Sequence, residues 1–364
     1  MVNGSHAAGD RTSAPARRVR LVDVAREAEV SKSLASRVLN DHPGLRAREE
    51  VRRRIHEAAE RLGYRPHAAA RGLTRADTGV LSLLIPDLTN AFFARLIRGA
   101  VGRAMERDFT VLTSEDLVPR ETAKMVERLV QSGRINGVVM ASAQPRHPLV
   151  ATLRAGGVPH VFVNRGVRGS SHNVVLDETL ASRAALAYLA GLGHARIGHV
   201  AGTGRLDSTR RLSAGFRAAA EKLGLDPELI VEGDLSEDGG ATAAEVLLRE
   251  HSDVTAIFTA SLVQAVGVMR TAYQHGLNVP RDLSVISGDE TPLAAFLSPA
   301  LTTVQMPTEE LGAAAVDALI DQILGRPSPS RMLDYEPEVI ARESAGPPPQ
   351  TSLLGSARLL RSGA

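Results

Sequence analysis

The spacing of apolar residues changes character near residue 80, and that change constrains the fold of this 364-residue chain more than any other feature. Before it, apolar side chains recur at three- and four-residue intervals. Leu21, Val24, Ala25 and Ala28, for example, stand at i, i+3, i+4 and i+7, one buried helix face. After it, short apolar runs of strand length alternate with amphipathic stretches of helix length. The runs are Val80–Ile85, Thr110–Thr113, Gly137–Met140, His160–Asn164, Ile197–Ala201, Thr255–Thr259 and Leu283–Ser287. Helices are predicted over 92–106, 121–131, 180–192, 210–223, 238–248, 263–275 and 309–324. Alternation of this kind builds parallel sheets covered by helices, and about 260 residues of it imply two lobes of an α/β, doubly wound architecture.

The first part reads differently. Ser31 is placed as the N-cap of a short helix, Lys32–Leu39, and the Asp, His, Pro and Gly of residues 40–45 make a loop. A third helix over 47–62 turns Val51, Ile55, Ala58, Ala59 and Leu62 inward, and Gly63 ends it. Three short helices in about 45 residues describe a helix-turn-helix head. The predicted organisation is a disordered basic tail over 1–19, the head over 20–66 and a hinge and linker over 67–79. A two-lobed body follows over 80–342, then a disordered Pro-rich tail over 343–364.

Charge follows the same division. Residues 1–75 carry 16 Lys and Arg against 9 Asp and Glu, a net of +7, whereas the remainder carries 27 against 32, a net of −5. A basic head on an acidic body is the electrostatic footprint of nucleic-acid binding. No run approaches the roughly 18 apolar residues of a membrane helix, and Met1–Arg20 has no apolar segment to act as a signal peptide. Cysteine is absent, which removes disulfides and thiolate metal sites. A cytoplasmic protein without membrane contact or cofactor is expected.

Catalysis lacks a constellation. Gly202–Gly204 does not have the spacing of a phosphate-binding loop. His194 and His199 fall at a helix end and on a strand, so they are not paired metal ligands, and no Gly-x-Ser-x-Gly elbow occurs. An enzyme is not expected. A transport-type binding protein would fit the body, but it would need a signal peptide and would not carry a basic helical head.

The helix around VSKSLASRVL (30–39) could enter a major groove, where N-terminal side chains reach base edges. Lys32, Ser33 and Arg37 share one face by i, i+4 and i+5 spacing, and an arginine can donate as a fork to guanine. Ser31 and Ser36 can donate to phosphates, which sets register without reading sequence.

Specific motifs then carry a resemblance. Leu21–Arg26 (LVDVAR), Val30-Ser31, Ser36–Asn40 (SRVLN) and Leu62–Pro66 (LGYRP) closely resemble the lactose-repressor (LacI) family of bacterial transcription regulators. The body repeats the match at Ile85–Phe93 (IPDLTNAFF), Ser287–Leu293 (SGDETPL) and Pro299–Val304 (PALTTV), so that it covers about residues 20–342 in order. The resemblance implies a dimeric regulator, a repressor in the first instance, that grips a pseudo-palindromic double-stranded operator under control of a small molecule. Activation, or a corepressor that strengthens DNA binding, uses the same linkage and stays open. It implies base reading by Lys32, Ser33 and Arg37, and phosphate contacts from Ser31, Ser36 and Tyr64. It also implies a hinge helix over 68–73 with Ala70 and Leu73 in the minor groove, where an apolar wedge unstacks a base step. The body would hold a sugar or other polar metabolite between periplasmic-binding-protein-like lobes, through Asp87, Asn90, Phe92, Asn164, Arg211, Ser261 and Asp289.

Departures from the family pattern stand out. Glu29 occupies the helix-turn-helix turn where Gly is usual, Leu34 replaces a phosphate-binding Thr, and Gly72 replaces Ser in the hinge. The loop between the second and third helices is two residues longer. In the body, Leu212 stands where the family places an Arg before the Gly215-Phe216 pair, leaving Arg210 or Arg211 to face the cleft, Arg211 by preference. Ser261-Leu262 replace an Asn-Asp pair, and Leu235 stands where some members stack an aromatic ring. With aromatics at 3% and no Trp, ligand stacking has few candidates.

Overall fold

A computed structural model describes residues 19–39, 45, 47–64, 78–144 and 146–349. The chain divides into two compact units, Met1–Thr78 and Gly79–Ala364.

In the first unit three helices enclose a small core. Helix α1 is Leu21–Glu27, α2 is Lys32–Leu39 and α3 is Glu49–Arg61. Val24 and Ala25, Ala35 and Val38, and Ile55, Ala58 and Ala59 are their buried residues, in keeping with the inward faces predicted for the first and third helices. Ser31 Oγ accepts from the Leu34 amide at 3.1 Å, so the predicted cap of α2 is present. Between α1 and α2 the chain turns through Glu29 at φ +54°. This is the left-handed region, where a residue with a Cβ costs roughly 1–2 kcal/mol.

The second unit contains two six-stranded sheets. Strands β1 (Val80–Ile85), β2 (Thr110–Glu115), β3 (Gly137–Met140), β4 (His160–Val163) and β5 (Asn173–Leu176) belong to the first lobe. Strands β6 (Ile197–Ala201), β7 (Ile230–Glu232), β8 (Ala256–Thr259), β9 (Ser284–Ser287) and β10 (Thr302–Gln305) belong to the second. Two late three-residue strands, β11 (Arg331–Leu333) and β12 (Glu338–Ile340), close one edge of each sheet. The orders are β11-β5-β4-β3-β1-β2 and β12-β10-β9-β8-β6-β7. Every pairing is parallel except β10 with β12. The central strands β3, β4, β8 and β9 are buried at every residue, as strands covered on both faces must be.

Helices α4 (Ala91–Glu106), α5 (Pro119–Gln131), α6 (Pro148–Ala155), α7 (Glu178–Gly191), α8 (Asp207–Leu223), α9 (Glu237–Glu250), α10 (Leu262–Gln274) and α11 (Thr308–Ile323) cover the sheets. Helix α7 packs on α8, β8, β10 and β12, whereas α11 packs on α4 and on β3, β4 and β5. The chain therefore passes between lobes three times, after β5, after β10 and after β11. Gly215 lets α7 and α8 approach closely, because a Cβ there would lie 2.5 Å from Thr179 Cα.

All seven predicted strands and all seven predicted body helices are present within a few residues. The short strands β5, β7 and β10–β12 and helix α6 were not anticipated. Helix α6 is capped by the His147 ring, which accepts from the Leu149 amide, and histidine is not a usual cap signal. One boundary is corrected: residues 343–349 are part of the body, not of a disordered tail. Ser344 is buried and bonds Val285 through its carbonyl and hydroxyl, and its hydroxyl also accepts from the Thr302 amide. The Pro run at 347–349 misled by composition, since its neighbours already complete the second sheet's surroundings.

Candidate functional site

Helix α2 presents Lys32, Ser33 and Arg37 fully outward while Ala35 and Val38 anchor its other side. Lys32 and Arg37 form no ion pair with a described residue, so their charges stay free for an external partner. Ser31 is exposed and caps the helix, Ser36 is half-buried, and Tyr64 packs on the head's core, where burial raises its phenol pKa. Leu34 also leans on that core. The predicted hinge residues Ala70 and Leu73 lie outside the described residues, as does Gly72.

In the body, a cleft opens where the carboxyl ends of the strands of both lobes meet. Open parallel sheets generally place ligands there. From the first lobe come Asn90, Phe92, Phe93, Asn164, Arg165 and Leu176; from the second come Ser208, Thr209, Leu212, Leu235, Ala260, Ser261 and Asp289, with Glu178 and Met306 at the crossings. Each polar group is placed by the end of an element. Asn90 caps α4, accepting from the Phe92 amide at 3.0 Å, and Ser261 caps α10 through the Gln264 amide. Asn164 ends β4 at φ +64°, a left-handed conformation Asn tolerates better than most residues. Asp289 follows β9 and accepts from the Leu262 amide and the Ser287 hydroxyl, while burial pushes its carboxyl up to about 6.

Five of the seven effector residues expected from sequence thus line the cleft: Asn90, Phe92, Asn164, Ser261 and Asp289. Asp87 does not. Its carboxylate folds back on Thr89, accepting from the amide at 2.7 Å and the hydroxyl at 2.6 Å, which is turn work leading into α4. Arg211 does not either. It donates to Glu178 at 2.6 and 3.1 Å, to Asp207, and to the Asn164 carbonyl at 3.3 Å. The neighbouring position on α8 is turned by about 100°, which puts Leu212 on the cleft and Arg211 against α7. Arg210 is exposed and pairs with Asp207. Glu178 explains the diversion of Arg211: burial pushes its carboxyl up to about 7, and the guanidinium opposes that shift.

Arg165 was missed by the sequence reading. Asn164-Arg165 is the first polar pair after the apolar run of β4, but nothing local marks the arginine as one without a counterion. No histidine lines the cleft, and the Thr209 hydroxyl is held by the Thr203 and Leu206 carbonyls. The arrangement offers hydrogen-bond donors and acceptors beside apolar walls, the chemistry suited to a small polar molecule.

Comparison with known proteins agrees in both units. Residues 20–67 match the bacterial regulatory proteins of the lacI family, and residues 186–345 match the periplasmic binding protein-like domain. The HTH-type transcriptional regulator MalR of Streptomyces coelicolor is 34% identical over 348 residues, 91% of this chain and 97% of MalR. The ribose operon repressor of Escherichia coli is 33% identical over 330 residues, 89% of this chain and 98% of that repressor. The chain belongs to the LacI family. Among solved structures, the transcriptional regulator CelR in its cellobiose complex superposes with a TM-score of 0.69 at 27% identity, covering 90% of this chain and 100% of CelR.

This LacI-family protein is therefore a DNA-binding transcription regulator, with α2 as the second helix of its helix-turn-helix and a periplasmic-binding-protein-like body. Its departures from the family now have structural content. Glu29 takes a left-handed conformation in the turn between α1 and α2, and Leu212, at the position where the resemblance implies an arginine, lines the cleft. No described helix is long and apolar enough to cross a membrane.

Proposed function

We propose that this LacI-family regulator is a repressor. As a homodimer it binds a pseudo-palindromic operator and answers to a small hydroxylated or otherwise polar metabolite held between the lobes. The observation that carries the DNA half is the outward face of α2: three polar side chains, two of them unpaired cations, project from a helix fixed by its cap and buried face. Lys32, Ser33 and Arg37 read bases, Ser31, Ser36 and Tyr64 meet phosphates, and Ala70 and Leu73 act from the hinge in the minor groove. A two-fold dimer doubles the few base pairs one head can read.

The cleft supports the effector half. Asn90, Asn164, Ser261 and Asp289 offer donors and acceptors against walls of Phe92, Leu176, Leu212 and Met306, the mixture that holds small polar ligands. A ligand touching both lobes favours one arrangement of the three crossings over another, and reciprocity makes operator binding depend on it.

Selection from a random duplex library, followed by binding titrations across salt, tests the DNA half. Wild type should prefer its selected site at least about a thousandfold over scrambled DNA. Arg37→Ala should lose roughly 1–3 kcal/mol on that site and much less on random DNA. A screen of metabolites for altered operator affinity tests the effector half. Failure to enrich any sequence would sink the repressor reading.

A further inference from the structure

Two arginines reach from one lobe to the other, and each ends on a main-chain carbonyl of the opposite lobe. Arg95, on α4, donates to the Glu290 carbonyl at 3.0 Å. Arg211, on α8, donates to the Asn164 carbonyl at 3.3 Å. The lobes thus exchange roles, the first giving the donor of one bond and the acceptor of the other. Arg95, Arg211 and Glu290 all lie outside the cleft lining.

The second-lobe partner is immobilised in both bonds. The Glu290 carboxylate accepts from both Nη atoms of Arg342, at 3.0 and 2.8 Å, and from the Thr303 hydroxyl, so its main chain is fixed against β10 and the segment after β12. Arg211 is held by Glu178 and Asp207. On the first-lobe side, Arg95 is steered by Glu309 of α11 at 3.5 Å, and Asn164 presents its carbonyl from a left-handed conformation.

The two bonds also stand apart. In the first lobe Asn164 follows β4 and α4 follows β1, with β3 between those strands; in the second, Glu290 follows β9 and α8 follows β6, with β8 between. Neighbouring strands lie about 4.8 Å apart, which separates the bonds by about 10 Å. A single bond would let the lobes pivot about it. Two at this separation resist rotation as well as opening, and a charged donor makes each stronger than a neutral bond.

We infer that Arg95 and Arg211 are clasps that hold the lobes together without help from a ligand. A molecule in the cleft then works against a preset arrangement and does not create it. The acceptor carbonyls belong to Asn164 and to the neighbour of Asp289, so a molecule that shifts either loop loosens a clasp. This consequence rests on the reading of the cleft as the effector site, whereas the clasps are tested without effector or DNA.

The chain has no cysteine, so spin labels attach only where cysteines are introduced. Gln131→Cys at the end of α5 and Arg249→Cys near the end of α9 place one exposed label on each lobe. Double electron–electron resonance on the full-length protein, diluted with unlabelled chain, reads the distance between them within one subunit. Wild type should give one narrow distance. Arg95→Met should add a second, raising its share relative to the first about fivefold or more. Arg95→Lys keeps a donor and should restore most of the first. Arg211→Lys leaves a cation beside Glu178 but shortens the reach to Asn164, so it should add the same second distance. The double variant should add most. Glu309→Gln removes only the ion pair with α11 and should match wild type. Thermal melting guards against loss of fold, and Arg211→Lys carries the test alone if Arg95→Met melts early. Wild-type distances in Arg95→Met, Arg211→Lys and their combination would overturn the inference. Opening in Glu309→Gln equal to that in Arg95→Met would overturn it too, because the ion pair on α11 would then be the cause. Neither result bears on the DNA and effector readings, which the operator selection and the metabolite screen judge.

Discussion

The head and the body of this regulator place their chemistry in opposite ways. In the head, the proposed base-reading groups Lys32, Ser33 and Arg37 are exposed, on the side of α2 away from the apolar core of Val24, Val38, Ile55 and Ala58. In the body, the polar groups are inside: Asp289, Ser261, Arg165 and Glu178 are each at least nine-tenths buried. Recognition can change in the head at little cost to the fold. In the body, a buried polar group of the cleft is also a structural group, because a buried polar atom must be satisfied by the protein, by water or by ligand. Substitutions in the two units should therefore have different signatures.

The largest difference is expected at the strut between α7 and α8. Arg211→Ala strips the guanidinium from Glu178 and should destabilise the body by about 3 kcal/mol at pH 8. The sign of the pH dependence follows from Glu178, whose pKa is raised in the folded state to about 7. Below the ordinary carboxylate value both folded and unfolded forms are protonated. As pH rises through the folded value, a buried charge must form and stability is lost. Without Arg211 that loss grows, so the variant should lie closest to wild type near pH 5 and diverge above 7. Urea unfolding at both pH values measures it, and an equal deficit at each would break the account.

A second internal group acts in the opposite direction. His199 is fully buried, stacked between Phe216 at 5.1 Å and Phe258 at 4.9 Å, and burial pushes its pKa down to about 4. The folded protein keeps it neutral while the unfolded chain protonates near pH 6.5. Stability from this group is complete above that value and is lost as pH falls toward 4, by about 3 kcal/mol. His199→Gln should be less stable at pH 7 yet lack this part of the acid loss. No equivalent exists among the described residues of the head, where no histidine is buried.

The same contrast decided what could be read from sequence. In the head, the spacing of Lys32, Ser33 and Arg37 already placed them on one helix face, and the buried Ala35 and Val38 show that this face is the outer one. In the cleft, partners come from residues as far apart as 90 and 289, and only the fold brings them together. Asn164 and Asp289 were reached through the family resemblance, which carried them over with the motifs around them. Arg211 was misplaced because the difference between it and Leu212 is one step on a helix whose start could not be fixed to one residue. Arg165 was missed because nothing local distinguishes a cation with a counterion from one without. Asp116, held by the His147 ring and the Ser142 hydroxyl, and Glu178, held by Arg211, decide that question, and both lie far from it in sequence.

The smallest expected effects belong to the head and sharpen the comparison most. Arg37→Ala should leave stability within about 0.5 kcal/mol while costing roughly 1–3 kcal/mol of specific DNA binding, since its side chain is exposed and unpaired. Glu29→Gly should do the reverse. At φ +54° the glutamate pays for a left-handed turn that glycine adopts freely, so the substitution should stabilise the head by about 1 kcal/mol. Hydrogen exchange of the Val24 and Ile55 amides would follow the head alone. Slower exchange in Glu29→Gly, with body protection unchanged, is the expected outcome. Unchanged exchange would mean that glycine's greater freedom in the unfolded chain cancels the relief of the turn. Tighter operator binding by this variant would go further, because it would show that the turn sets how well α2 is held for reading bases. In that case the family's usual glycine would be a matter of recognition as well as of stability, and the separation of the two in the head would be incomplete.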